Sequence, residues 1–242
     1  MRCLILRLEA PLIAFGDVAV DEIRPTRRLP TLSMLTGLLG NALGFDHREV
    51  EALARLQERL RFGARLERSC AGRDDRQVRV IVDYQTARLN KRDPLWTTRG
   101  VPGERTGGGS TWDGQGFGTV ERHRHYLADA AVTIALTLEP ADGPPTIDGL
   151  AAAVARPARP LFLGRKSCLP ARPLLERPPF TAKNLCAALN TVPFDGDGAV
   201  ELPDLPDEPE GRRVREVADL RDWRLGMHAG GRRVRELRPG DD

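Results

Sequence analysis

RPTRRLPTLSMLTGLLGNALGF, residues 24–45, carries the strongest local signal in this chain of 242 residues. Thr31 and Ser33 are good helix N-caps, and the leucines after them recur at helical spacing, which predicts a helix with one buried face. The arginines in front of this helix are Arg24, Arg27 and Arg28. Helix N-termini and guanidinium groups both bind phosphates, so the stretch suits an anionic backbone. A core helix behind a solvated basic loop explains the same pattern.

The charge of the chain is nearly balanced, with 37 Lys and Arg against 34 Asp and Glu, which leaves a net charge of +3. Almost all of the positive residues are arginines, which suit bidentate phosphate contacts, although a GC-rich genome produces the same bias. No two of the four cysteines have CxxC spacing, and neither a signal peptide nor an apolar membrane span is evident. We therefore expect a cytoplasmic protein with reduced thiols, no cofactor and no membrane contact.

The order of apolar patterns predicts the fold class. Strand patterns occupy residues 3–9, 62–67, 78–84, 126–138 and 161–163, and helical patterns occupy residues 31–45, 46–61 and 146–154. With the strands around the insertion treated as one hairpin, this order predicts an α+β chain with a ferredoxin-like, RRM-like βαββαβ domain. We place this domain at residues 1–175 and a smaller β-rich region at residues 176–242. Within the second region, residues 195–211 are predicted to be a surface loop, and residues 213–217 and 223–225 short strands.

Residues 85–121 differ from the rest because they combine many glycines with Trp96, Trp112 and scattered basic side chains. An insertion of this length inside a domain is either functional or disordered. Aromatic and basic residues on a flexible frame suit a thumb hairpin that contacts nucleic acid. A solvated, variable loop is an equally good interpretation.

Catalytic patterns are sparse. His123 and His125 are two residues apart on a predicted strand, so they share a face, but no third ligand and no HExxH motif accompanies them. Cys168 follows Lys166 closely and is either an activated thiolate or, more simply, a packed cysteine. The glycine-rich segments match neither a P-loop nor a dinucleotide fingerprint, so the sequence predicts no nucleotide site. Because the two histidines lack a third ligand, it predicts no metal site either.

Basic segments with donors for phosphate are better represented. They are residues 24–33, residues 122–126 (RHRHY) and residues 164–168 (GRKSC), where a glycine allows close approach. In a ferredoxin-like plan the three segments can converge on one rim. Solvated charged loops are the alternative for each of them.

Several segments together resemble the CasD subunit family of type I-E CRISPR Cascade, within the RAMP superfamily. They are LILRLEAPLIAFG (4–16), residues 24–44, VDYQT (82–86), RHYLADAAVTIAL (124–136) and LGRKSCLPARPL (163–174). The resemblance extends over residues 1–175, with a weaker match at residues 223–234.

The resemblance implies a noncatalytic RNA-binding subunit. Such a subunit holds the 5′ handle of crRNA, kinks the RNA with its thumb, and caps the backbone filament for antiviral DNA interference. The implied partners are the crRNA handle, the Cascade backbone subunit, the large PAM-reading subunit and, through the complex, target DNA. The predicted RNA-binding residues are Arg24, Arg27, Arg28, Thr31, Ser33, Tyr84, Arg88, Arg124, Tyr126, Arg165, Lys166 and Ser167.

Two other functions stay open from the sequence. One is a metal-independent endoribonuclease of CRISPR repeat RNA that uses Tyr84, Lys91, His123 or His125 for acid–base chemistry. The other is a protein-only scaffold whose arginines contact acidic subunits.

Overall fold

A computed structural model of the chain describes residues 1–67, 79–88, 119–194 and 198–237. The strands in these ranges are β1 Arg2–Ile13, β2 Ile23–Arg24, β3 Leu60–Leu66, β4 Arg79–Arg88, β5 Thr119–Leu138, β6 Leu175–Thr181, β7 Val200–Pro203, β8 Arg213–Asp222 and β9 Met227–Leu237. The helices are α1 Leu32–Leu43, α2 Val50–Arg59, α3 Ile147–Ala155 and α4 Leu185–Asn190. Most of the predicted insertion, residues 89–118, lies outside the described residues.

The strands form one sheet in the order β6-β1-β5-β3-β7-β9-β8, with β2 and β4 paired to β5 in addition. The 20-residue strand β5 organises this sheet. Its second half is flanked on both sides, because Leu6 of β1 and Ala64 of β3 both pair with Ile134. Its first half extends past them and pairs antiparallel with β4 and parallel with β2. The predicted combination of helices with an antiparallel sheet is confirmed.

The two faces of the sheet are covered differently. Leucines of α1 and α3, such as Leu35 and Leu150, pack with Leu6 and Ile134 in the larger core. Leucines of α4 pack with Ile5 in a second core on the opposite face. The helical periodicity of residues 32–43 therefore predicted the buried face of α1 correctly. The longest helix in the described ranges, α1, has 12 residues, and no helix there is long and apolar enough to cross a membrane.

Three local predictions were wrong, and two elements were missed. Residues 161–163 are not a strand, although Leu163 is buried. Residues 200–203, predicted to be loop, form β7 between β3 and β9. Residues 223–225 form the turn between β8 and β9 rather than a strand. The sequence patterns also missed β6 and α4, where prolines and a length of six residues hide the periodicity.

Candidate nucleic-acid interface

The hairpin of β4 and the first half of β5 presents two chemically different faces. Paired residues of neighbouring strands share a face, and the faces alternate along each strand. Arg24 of β2 pairs with Arg124, and Asp83 of β4 pairs with the same residue. Arg122 lies two residues along β5 and shares this face. We call Arg24, Arg122, Arg124 and Arg165 the arginine face.

Arg165 connects the three basic segments that the sequence singled out. Its guanidinium donates to the backbone oxygen of His125 at 2.9 Å and to that of Arg24 at 3.0 Å. Its Cζ atom lies 4.6 Å from the centre of the Tyr126 ring, in a cation–π contact. Tyr126 is only 5% exposed, so it packs in the core beneath this contact. The structure therefore brings residues 24, 122–126 and 164–168 together at the base of the hairpin.

The turn that carries Arg165 is set by Gly164. Its φ is +101°, and a Cβ atom there would lie 1.7 Å from the backbone oxygen of Ala14. Only glycine fits this close approach. Lys166 and Ser167 follow it and are exposed, whereas the Cys168 thiol is fully buried. Cys168 is thus a packed cysteine in this structure.

The opposite face of the hairpin carries aromatic, histidine and apolar side chains. Tyr84 pairs with His123, and their rings lie 4.9 Å apart with a 36° tilt. Partial desolvation raises the pKa of the Tyr84 phenol, and a hydrogen bond to the Glu121 carboxylate raises it further. His125 and the exposed Val82 share this face by register. Arg88 is the last residue of β4, and Lys91 lies outside the described residues.

The N-terminus of α1 is occupied by groups of this chain. The buried Thr31 hydroxyl accepts from Met34 N at 3.2 Å and donates to Phe15 O at 3.0 Å. The Leu32 N–H donates to the Asp219 carboxylate of β8 at 2.9 Å. The group that occupies this helix terminus is therefore a carboxylate side chain from the C-terminal region. RNA contacts by Thr31 and Ser33 stay predictions.

Arg27 and Arg28 lie apart from the arginine face. The Arg27 guanidinium donates to both oxygens of Glu201, at 3.0 and 3.3 Å, and is 12% exposed. Arg28 is exposed to solvent. Sequence reasoning missed Glu201 and Asp219, the two buried carboxylates that contact Arg27 and the N-terminus of α1. A glutamate between Val200 and Leu202 was an available signal, because a charge inside an apolar run requires a buried partner.

Within residues 1–67, 79–88, 119–194 and 198–237, no cluster of three His, Cys, Asp or Glu side chains is placed to hold a metal ion. The site thus consists of arginines, a tyrosine and histidines on the hairpin of β4 and β5, on β2 and in the turn after Gly164. Arginine-rich surfaces are typical of proteins that bind nucleic-acid backbones.

The fold and this surface define a mixed α/β protein with a candidate nucleic-acid interface. The chain belongs to the CRISPR-associated protein family Cas_Cas5, whose model matches residues 3–235. It is 35% identical over 196 residues to the CRISPR system Cascade subunit CasD of Escherichia coli (strain K12), over 80% of this chain and 79% of that protein. The resemblance to this subunit family that we inferred from the sequence is therefore confirmed.

Solved structures agree at the level of the fold. A chain of a CRISPR RNA-guided surveillance complex is similar with a TM-score of 0.64 and 22% identity, covering 98% of this chain and 89% of that chain. A crystal structure described as a Cas protein is similar with a TM-score of 0.59 and 25% identity, covering 98% of this chain and 94% of that chain.

Proposed function

We propose that this chain is a noncatalytic RNA-binding subunit of a type I-E Cascade complex, which holds the 5′ handle of crRNA and caps the backbone filament. The observation that carries the proposal is the meeting of three basic segments at Arg165, which donates to the backbone of β2 and β5. Membership of the Cas5 family and the identity to a Cascade subunit support it independently.

The arginine face has the chemistry that an RNA backbone requires. Guanidinium groups stay charged at every physiological pH and donate in a fork that matches phosphate. Arg124 is partly exposed and makes no hydrogen bond or ion pair with another described side chain, so its donors are available. Lys166 and Ser167 add exposed donors beside it. We assign handle phosphates to this surface, with Arg124 nearest the RNA.

We also propose the finer assignments of fold and partners. The order β6-β1-β5-β3, with helices after β1 and β5, suits a ferredoxin-like βαββαβ domain, and the hairpin of β4 and β5 suits a thumb. The partners proposed are the backbone subunit, the large PAM-reading subunit and, through the complex, target DNA in antiviral interference. This assignment implies a cytoplasmic location.

The test is the RNA that copurifies with the tagged full-length chain, coexpressed with its operon and a CRISPR array. Sequencing should recover crRNA with a uniform 5′ end, and Arg24→Ala with Arg124→Ala should reduce its yield at least tenfold. Arg55→Ala with Arg156→Ala is the matched control, because both arginines are exposed on the helical side and unpaired in the described part of the chain. RNA recovery equal in both double variants would reject the assigned surface.

The endoribonuclease has one observation in its favour, namely the contact between Tyr84 and His123. The Nδ1 atom of His123 is buried and has no hydrogen-bond partner among the described residues. A phenol with the ordinary pKa of 10.0 is protonated at neutral pH, and the pKa of Tyr84 is raised further, so Tyr84 could act as an acid rather than a base. The purified chain should leave repeat RNA uncut in EDTA. Specific cutting that His123→Ala abolishes would instead establish the nuclease.

The protein-only scaffold has its own outcome. If the chain assembles with the other subunits but carries no RNA, it is the scaffold.

A further inference from the structure

A concave surface lies between the loop that precedes α1 and strands β7 to β9. It encloses about 720 Å³ and is lined by five arginines: Arg27, Arg28, Arg212, Arg213 and Arg215. The carboxylates in its lining are Asp17, Glu201 and Glu236. We call this surface the arginine groove. Its arginines outnumber its carboxylates by two, so its lining carries a positive formal charge.

Glu201 holds two of these guanidinium groups in place. It is 5% exposed, and it accepts from Arg27 at 3.0 Å and also from Arg215. Arg215 forms a further ion pair with Glu236. A guanidinium has five N–H donors, so each arginine keeps donors after these contacts, and the Nε–H of Arg27 is buried without a partner among the described residues. Fixed guanidinium groups lose little side-chain entropy when they bind a ligand.

Arg28 and Arg213 supply charge that the chain does not neutralise. Both are exposed, and neither forms a hydrogen bond or ion pair through its side chain with any residue in the described ranges. They come from opposite sides of the groove, Arg28 from the loop before α1 and Arg213 from the start of β8. Together with the fixed pair at Glu201 they present donors around one cavity.

We propose that the arginine groove binds the phosphodiester backbone of a single-stranded RNA segment that continues from the arginine face. This inference rests on the proposed function. Arg24 and Arg27 are three residues apart, so their Cα atoms are separated by at most about 11 Å. The loop that carries Arg24 and Arg27 therefore connects the arginine face with the groove. The C-terminal region then takes part in RNA binding through β7 to β9.

The experiment measures anisotropy of a labelled, unstructured 20-nucleotide RNA of mixed sequence against the purified full-length chain over a series of KCl concentrations. Each phosphate contact on a single strand contributes about −0.7 to the slope of log K against log salt. Arg28→Ala with Arg213→Ala should flatten the slope by about 1.4. Arg55→Ala with Arg156→Ala removes the same charge outside the groove and should leave the slope unchanged. Thermal unfolding checks that both double variants are folded.

The outcomes separate this inference from the proposed function. If Arg28→Ala with Arg213→Ala has the same salt slope as the control variant, the groove does not bind RNA and this inference is wrong. The proposed function still stands in that case if Arg24→Ala with Arg124→Ala weakens RNA binding. Wild-type chain that neither binds the probe nor copurifies RNA overturns both. A groove variant that keeps its RNA slope but loses partner subunits in affinity purification shows a protein contact and overturns the RNA assignment.

Discussion

At the scale of single residues, Gly164 shows how one backbone position sets the geometry of the candidate site. It stands in the left-handed region and against the backbone of Ala14, whose N–H donates to Leu163 O at 3.1 Å. The next residue, Arg165, can therefore reach both β2 and β5. In the sequence, a glycine after an apolar run indicated that some group approaches its backbone closely. It did not indicate that this group belongs to the chain itself.

Gly164→Ala should destabilise the protein by about 1–2 kcal/mol from its left-handed backbone, and by more from the clash with Ala14. Gly143→Ala is the matched control, because Gly143 has a φ of +91° and open space around it. The difference in free energy of unfolding between the two variants, from urea titration, isolates the clash. Equal values for both variants would contradict the close approach.

At the scale of elements, the N-terminus of α1 and strand β8 are joined through Asp219. This carboxylate is fully buried, accepts from Leu32 N, and pairs with Arg232 Nε at 2.9 Å. Arg232 in turn stacks on Phe62 of β3 at 4.3 Å. The helix was predictable from its leucines and its Thr31 cap. Its partner was not, because Asp219 is 187 residues away in sequence.

Asp219→Ala should lower the free energy of unfolding by about 3 kcal/mol, since it leaves a largely buried arginine and a helix N–H unpaired. Asp219→Asn keeps an acceptor and should cost less. Glu51→Ala is the control, because Glu51 also lies in the first turn of a helix and pairs with an arginine, Arg224, but both side chains are exposed. That control should change stability by less than about 1 kcal/mol. An Asp219→Ala protein as stable as wild type would remove this link from the fold.

The N-terminus of helix α4 is held by another buried carboxylate, in the loop between β7 and β8. Glu208 is 4% exposed and accepts from Leu185 N at 2.7 Å and from Cys186 N at 3.0 Å. Burial raises the pKa of the Glu208 carboxyl above its ordinary value of 4.5, and these hydrogen bonds offset only part of the effect. The folded state therefore takes up this proton at a higher pH than the unfolded chain does.

The raised pKa of Glu208 makes the free energy of unfolding depend on pH, and Glu208→Gln removes this contribution. As the pH falls through the raised pKa of Glu208 towards 4.5, the stability of wild type relative to Glu208→Gln should increase, and it should level off below. Urea titrations of both proteins from pH 7 to pH 4 measure this difference. Glu210→Gln, which removes an exposed carboxylate two residues away, should give a pH profile parallel to wild type. A wild-type curve that loses stability relative to Glu208→Gln on acidification would reverse the assigned direction.

At the scale of the whole molecule, the sequence predicted the elements that repeat a clear pattern and missed those defined by distant partners. Strand β5 and helix α1 were evident from alternation and periodicity. The basic segments that meet at Arg165 were also evident, although not that Arg165 donates to backbone oxygens. Strand β7 was hidden in an acidic, proline-rich segment, because its pairing with β3 and β9 rather than its own propensity makes it a strand. Arg27 was chosen for its charge, and its buried partner Glu201 lies on that missed strand.

The contacts of β7 to β9 bear on whether residues 1–175 and 176–242 unfold separately. β6 pairs with β1, β7 pairs with β3, and Asp219 holds the start of α1. Trp223, in the turn after β8, reports on this junction, because a Cβ atom at Gly37 of α1 would lie 3.7 Å from its ring. A protein whose sheet and core are shared in this way should unfold in one cooperative step.

Trp96→Phe with Trp112→Phe leaves Trp223 as the remaining tryptophan of the three in the chain. In this variant, urea unfolding followed by Trp223 emission should coincide with unfolding followed by circular dichroism at the helix band, because the emission reports the C-terminal hairpin and the dichroism reports mainly α1 to α3. Matching midpoints and m-values would indicate one unit. A Trp223 transition at lower urea, with the helices still formed, would mean that the C-terminal region folds as a unit of its own. In that case Asp219→Ala should shift the Trp223 transition alone, whereas in a single unit it shifts both signals together.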